Sequence, residues 1–448
     1  MRKKTFLILF MLAAVLMSRA ESRWTFYGAY HNSLVNLPVG DKVFSLCDGS
    51  IFSFSPSDNE AKIYNKVTGL SDADIKMMSY CEDLKCFVLV YSNSNIDVFY
   101  PEQEKMSNLP QLKNSSLADK TVNDLTISGK NAYIATNSGV SVMNISRLEF
   151  SKTYNIGAVN SAVCHDGKIM AATSSGILQG NESENLLDPN KWNKLNVSTF
   201  TKLRVFGNKL YAQAQQIYEV NMTSGEAAMI DNVPATFFCA DNSSYMFFGN
   251  SDVAYEYSPD GAKNMICRSN TFKYLSFSGG TYWASCGFNG TQPYKKDDTG
   301  LLKAVSNGVT LDSPIRNYCA FMNVSPSNKI LVAGGTLNYN RQNFDGTLYS
   351  YQNGKFFNFE DTISSYTGAL YRNLTGVAED PLDPDHVFAT SGETGLYEFR
   401  NGKYVNHYDF RNSLLQSVLP DAWQPYMYVR AGGLQFDSSG NLWMLNDE

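Results

Sequence analysis

Two stretches of this sequence carry residue types that recognise sugars. Tyr294, Lys295 and Lys296 fall in the segment 287–298, and Tyr339, Arg341 and Phe344 in the segment 335–345. Aromatic planes stack on sugar rings, while guanidinium and ammonium groups donate charge-assisted hydrogen bonds to carboxylates and phosphates. Two further connectors, 362–373 and 412–428, add Tyr371, Arg372 and Trp423. If all four connectors open on one face, these nine side chains form a ligand-binding surface for an anionic glycan. The competing reading is that long loops simply cap the fold.

Catalytic chemistry has less behind it. His31, His165, His386 and His407 are scattered, with His165 and His386 beside turns. The carboxylate pairs Asp58/Glu60, Asp297/Asp298 and Asp383/Asp385 lie in loops, where a solvated turn is the default. General acid–base work needs one such group in an apolar pocket with a shifted pKa. We therefore expect no catalytic residue, no cofactor and no metal; no histidine is spaced with cysteine as zinc requires. Cys47, Cys164, Cys239, Cys286 and Cys319 sit in apolar, strand-like runs and read as small buried hydrophobes. Cys81 and Cys86 flank a hairpin tip, Glu82-Asp83-Leu84-Lys85, so they read either as a cross-strand disulfide or as two packed thiols.

The elements that must position these residues repeat. Each unit has an apolar strand, a tight turn and a second strand ending in small residues, as in Leu125-Thr-Ile-Ser-Gly-Lys-Asn-Ala-Tyr-Ile-Ala-Thr136 and Ala162-Val-Cys-His-Asp-Gly-Lys-Ile-Met-Ala-Ala-Thr173. Turns align on Lys42, Lys85, Lys130, Lys168, Lys209, Ser243, Gly280, Lys329, His386 and Asn441, an interval centred near roughly 40 residues, the size of a propeller blade. Third strands follow at 139–144 and 395–400, and fourth strands at 356–359 and 403–408. This predicts an all-β chain, a β-propeller of four-stranded antiparallel blades. One blade cannot bury both of its faces, and stacking in a ring covers them. We expect a seven-bladed ring over 21–310 and, over 311–448, further blades that begin a second, incomplete propeller. The strand-like stretch 24–30 is the candidate to complete a terminal blade.

Residues 1–20 read as a signal peptide: Arg2, Lys3 and Lys4, an apolar run over 6–17, then Ser18-Arg19-Ala20. That run is too short to span a bilayer, and no later one is long enough. The mature protein is expected in the periplasm or at the outer surface of a Gram-negative cell. With 18% charged residues, a net charge of −6 and no basic cluster, nucleic acid is excluded as a partner.

The motifs Val39-Gly-Asp-Lys-Val-Phe-Ser-Leu-Cys-Asp-Gly-Ser-Ile-Phe-Ser-Phe54, Val67-Thr-Gly-Leu-Ser-Asp-Ala-Asp-Ile75, Asn95-Ile-Asp-Val98 and Asp119-Lys-Thr-Val-Asn-Asp-Leu125 resemble the N-terminal propeller of PorZ-like proteins of Bacteroidetes. The resemblance covers 24 to about 200 and fades to generic blade character afterwards. It implies a cell-surface role in type IX secretion, within an attachment complex containing a sortase, with protein partners and anionic lipopolysaccharide. Related propellers form the sensor regions of hybrid two-component systems, which makes oligosaccharide sensing the alternative.

Overall fold

The computed structural model describes residues 24–240, 244–335 and 343–447, so the signal segment 1–20 lies outside the described residues. Its strands form nine four-stranded antiparallel sheets and one two-stranded sheet, each built from consecutive strands. In chain order the sheets occupy 33–64, 75–109, 122–154, 159–196, 202–229, 237–268, 274–304, 321–358, 374–408 and 431–446. The repeat turns read from sequence join the first two strands of these sheets. Ser243 lies outside the described residues, and the turn assigned to His386 falls at 381–382, leaving His386 inside the strand Asp383–Ser391.

Sandwiching explains the composition of the middle strands. In Cys86–Tyr91, Cys86, Val88 and Val90 pack towards the third sheet, while Phe87, Leu89 and Tyr91 pack towards the first. Both faces are covered, so the strand is apolar throughout and not alternating. Separate apolar clusters fill the later joints of the ring, third to fourth, fourth to fifth and fifth to sixth.

The strand tips repeat as well. Thr136 and Thr173 each donate their hydroxyl to the carbonyl of the glycine three residues on, Gly139 at 3.0 Å and Gly176 at 2.9 Å. At both glycines φ is positive, and a Cβ would stand 1.9 Å from the Tyr154 carbonyl and 2.0 Å from that of Asn196. Only glycine lets the fourth strand pair there.

The first seven sheets close into a ring. The strand Ser33–Val39 of the first sheet lies beside Tyr274–Ser278 and Thr281–Ser285 of the seventh. The Ser33 N–H donates to Gly287 O at 2.9 Å, and the Gly287 N–H returns to Ser33 O at 3.2 Å. The Thr291 hydroxyl bonds Ser33 at 2.8 Å and Ser45 at 2.7 Å. Asn36 donates to Ser285 Oγ at 2.8 Å and accepts from Ser276 Oγ at 2.5 Å. A second buried network binds three neighbouring sheets on their first strands. Arg204 forks onto Asp124 at 2.7 and 3.0 Å, and Ser161 donates to the same carboxylate at 2.5 Å. Burial pushes the Asp124 carboxyl up, but Arg204, Lys202 and the Ser161 hydroxyl together outweigh it and hold the group below its ordinary pKa.

One expectation is corrected. The stretch 24–30 forms no strand, and the first sheet is built from four strands of its own over 33–64. It instead reaches the connector into the eighth sheet. Ala29 N–H donates to Asn317 Oδ1 at 2.7 Å, Tyr30 N–H to Ser313 Oγ at 3.1 Å, and Tyr27 packs on Tyr351 at 5.1 Å. The eighth, ninth and tenth sheets stack on one another. Met322 and Val324 stay exposed on the eighth sheet, and Trp443 and Leu445 on the tenth.

Replacing Asn36 by Leu strands two buried hydroxyls, and we expect it to cost about 2 kcal/mol, read as a lower denaturant midpoint. The Asp124 pair gives stability that is present above the unfolded carboxyl pKa of about 3.9 and lost as pH falls through the lower folded value. Calorimetry should therefore show wild-type Tm falling more steeply below about pH 4 than that of Asp124→Asn, which lacks the charge pair at every pH.

Candidate binding surface

Of the nine side chains, Tyr339 and Arg341 lie outside the described residues. The segment expected as a loop over 287–298 is shorter than that. Residues 286–290 form a tight turn closed by Cys286 N–H donating to Gly290 O at 2.9 Å, and Thr291–Lys296 is a strand. Pro293 and the lysine pair read as loop, but Thr291 and Pro293 alternate as buried residues on one face. Tyr294, Lys295 and Lys296 are thus the third strand of the seventh sheet.

On that strand each of the three meets a different environment. Tyr294 is half-buried against Phe272 at 5.3 Å and donates to Gln292 Oε1 at 2.9 Å. Lys296 Nζ lies 2.8 Å from Glu256 Oε1, with the rings of Tyr282 at 5.5 Å and Tyr245 at 5.9 Å. Tyr282 donates to the other oxygen of Glu256 at 2.5 Å. Glu256 is buried, so this cage neutralises a carboxylate that would otherwise be costly. Lys295 is exposed.

Phe344, Tyr371 and Arg372 do come together. Asn373 N–H donates to Phe344 O at 2.9 Å and Gly346 N–H to Tyr371 O at 2.9 Å, pinning the two segments side by side. Phe344 packs against Tyr318 with ring centres 4.5 Å apart and the planes tilted by 49°. Arg372 is ion-paired to Glu393, which also accepts from Asn373 Nδ2 at 2.8 Å. Tyr371 is a core residue, and burial raises its phenol well above the ordinary range. Trp423 is 94% exposed in its connector.

Sequence reasoning missed Arg316. Its guanidinium lies 4.6 Å from the Phe288 ring centre and 2.7 Å from Asp361 Oδ2, at the joint between the seventh sheet and the connector 359–372. It also missed the grouping around His386, which stands 3.1 Å from Asp380 and 2.8 Å from Glu398, with Tyr408 donating to Glu398 at 2.6 Å. Neither has a local signal: Arg316 meets Phe288 and Asp361 from separate loops, and the partners of His386 come from neighbouring strands. Among the described residues no three His, Cys, Asp or Glu side chains gather as a metal site. Cys319 departs from expectation: it precedes its strand and is exposed, with its thiol 3.1 Å from the Tyr349 hydroxyl. Cys81 and Cys86 are free, buried thiols directly opposite each other in register. The register permits a bridge between them, which stays a proposal.

Glu256→Ala leaves Lys296 and the Tyr282 hydroxyl without their acceptor in a half-buried site. We expect a loss of about 2 kcal/mol in urea unfolding, with Glu256→Gln losing less.

No curated protein matches this chain. Residues 43–193 match the family model of the PorZ N-terminal β-propeller domain of the type IX secretion system. The structure of PorZ from Porphyromonas gingivalis, described as an essential bacterial surface component of that system, covers 94% of this chain with a TM-score of 0.78 at 24% identity. This chain spans 57% of that one. The extracellular domain of BT4673 from B. thetaiotaomicron, 57% of which is spanned, covers 93% of this chain at 14% identity and a TM-score of 0.37. No helix among the described residues is long and apolar enough to cross a membrane. This chain is therefore similar to PorZ-like proteins, in sequence over residues 43–193 and in fold over 94% of its length.

Proposed function

We propose that this chain is a non-enzymatic, exported binding propeller that acts as a scaffold at the bacterial cell envelope, in a type IX secretion apparatus. The observation that carries this reading is the match of residues 43–193 to the PorZ propeller model, in a chain whose fold superposes on PorZ. Protein partners of an attachment complex are its ligands. Rings of this kind leave their rims and loop faces free for contacts while the sheets bury one another. In this reading residues 311–448 contribute to a second ring beyond the first, since among the described residues the eighth to tenth sheets share apolar clusters with one another and keep apolar side chains exposed.

An anionic lipopolysaccharide is a finer part of the same proposal, and its support is narrower. Among the described cations of the expected surface, Lys296 and Arg372 hold carboxylates of the fold, and Lys295 is exposed. Protein contact therefore ranks ahead of anionic glycan.

The test is deletion of the gene in its own host, followed by quantitative proteomics of the medium and cell surface. We expect type IX cargo to be depleted outside the cell and restored by the wild-type gene. Unchanged export would overturn the scaffold reading. Unchanged export together with a lost transcriptional response to an oligosaccharide would establish the sensor instead.

A further inference from the structure

Two thiols face each other at one tip of the second sheet. Cys81 ends its first strand and Cys86 opens its second, and the register pairs them directly across the turn Glu82-Asp83-Leu84-Lys85. Opposite residues of an antiparallel pair hold their Cα atoms about 4.5 or about 5.5 Å apart, depending on whether they exchange hydrogen bonds. Both separations fall within the roughly 4.4–6.8 Å that a disulfide spans. The two side chains are fully buried and share one apolar cluster with Val88, Leu109 and Ile145. Cys47, Cys164, Cys239 and Cys267 face Ser33, Ile169, Phe247 and Ala254 instead, so this pairing is specific.

The two thiols are unequal. The Cys86 thiol bonds to the Cys81 sulfur and, with the Leu84 N–H, draws the Cys81 thiol below its ordinary pKa. The same contact, together with burial, pushes the Cys86 thiol up. The thiol that loses its proton more readily is the one that attacks. Glu82, Asp83 and Lys85 of the turn are exposed, so the tip lies at the surface. The bridge closes only the stretch 81–86, and the two sulfurs meet as soon as the hairpin pairs, before neighbouring sheets seal the cluster.

We propose that Cys81 and Cys86 form a disulfide in the exported chain, with Cys81 as the attacking thiolate and a protein or small-molecule disulfide as the oxidant. The Cys81 thiolate bonds to one sulfur of the oxidant, and the other sulfur leaves as a thiolate. Cys86 then loses its proton, attacks Cys81 Sγ and expels the first sulfur. The oxidant gains two electrons, and the two protons released by the cysteines end on its sulfurs. Cys81 Sγ lies 3.4 Å from Gly129 O, so the bridge braces the joint between the second and third sheets. The inference rests on the exported part of the reading above, because oxidising compartments keep such bridges closed.

The full-length chain is recovered from its host with acid quenching, alkylated in denaturant without reductant, digested and mapped by mass spectrometry. Cys81 and Cys86 should be joined and unlabelled, and the remaining cysteines labelled. Purified, reduced chain should close the same bridge with oxidised glutathione. Cys86→Ser should trap a mixed disulfide with glutathione at Cys81, about tenfold faster than Cys81→Ser traps one at Cys86. Equal rates overturn Cys81 as the attacking group. Free thiols at both positions in chain taken from the envelope overturn the bridge, as does joining of either to another cysteine. Fractionation separates this failure from that of the envelope reading. A chain confined to the cytoplasm defeats the scaffold, and the purified wild-type chain then decides: failure to close with oxidised glutathione overturns the bridge.

Discussion

The ring stands or falls at the joint between its seventh and first sheets. Every other joint in it links sheets that are consecutive in the chain, so the connection itself helps to hold them. Here the partners are some 240 residues apart, as Asn36 and Ser276 are, and each sheet supplies all four of its own strands. Among the described residues no exchanged strand interlocks the two ends. Apolar contact is present, with Leu37 and Phe44 in one cluster with Phe272 and Leu275, but such contact is non-directional and tolerates sliding. Asn36 does not. It donates to Ser285 and accepts from Ser276, so a one-residue slip would leave three buried polar groups unpaired. Hydrophobic burial supplies the affinity of the joint, and the polar contacts choose its register.

The same division decides what could be read from sequence. Turns were legible because their chemistry is local: Gly207-Asn208 and Asp166-Gly167 adopt positive φ and mark hairpins wherever they occur. Blade size followed from their spacing. The middle strands were legible as strands, though runs such as Cys86–Tyr91 follow the two-sided burial of a stack and not the alternation of an open sheet. What failed was anything set by a partner on another sheet. Glu256 and Lys296 lie 40 residues apart, and Asp124 and Arg204 lie 80 apart. Nothing near Lys296 in the chain announces that its ammonium lies beside two tyrosine rings. The stretch 24–30 failed for a related reason. Its composition is that of a strand, but the backbone N–H groups of Ala29 and Tyr30 go to the side chains of Asn317 and Ser313, 288 and 283 residues on in the chain.

These hidden pairs bear on recognition. Arg204 with Asp124, Lys296 with Glu256, Arg316 with Asp361 and Arg372 with Glu393 each place a cation against an acid of the fold. The chain as a whole carries a net charge of −6. Long-range attraction towards a polyanion needs excess positive charge on a shared face, and pairs of this kind screen their own fields within a few ångströms. Discrimination on such a surface has to come from contact: shape, apolar area and hydrogen bonds made at close range. A protein partner docked on the loop face meets that condition. A charged polysaccharide would meet a protein of its own sign, with its binding resting on a few exposed lysines such as Lys295.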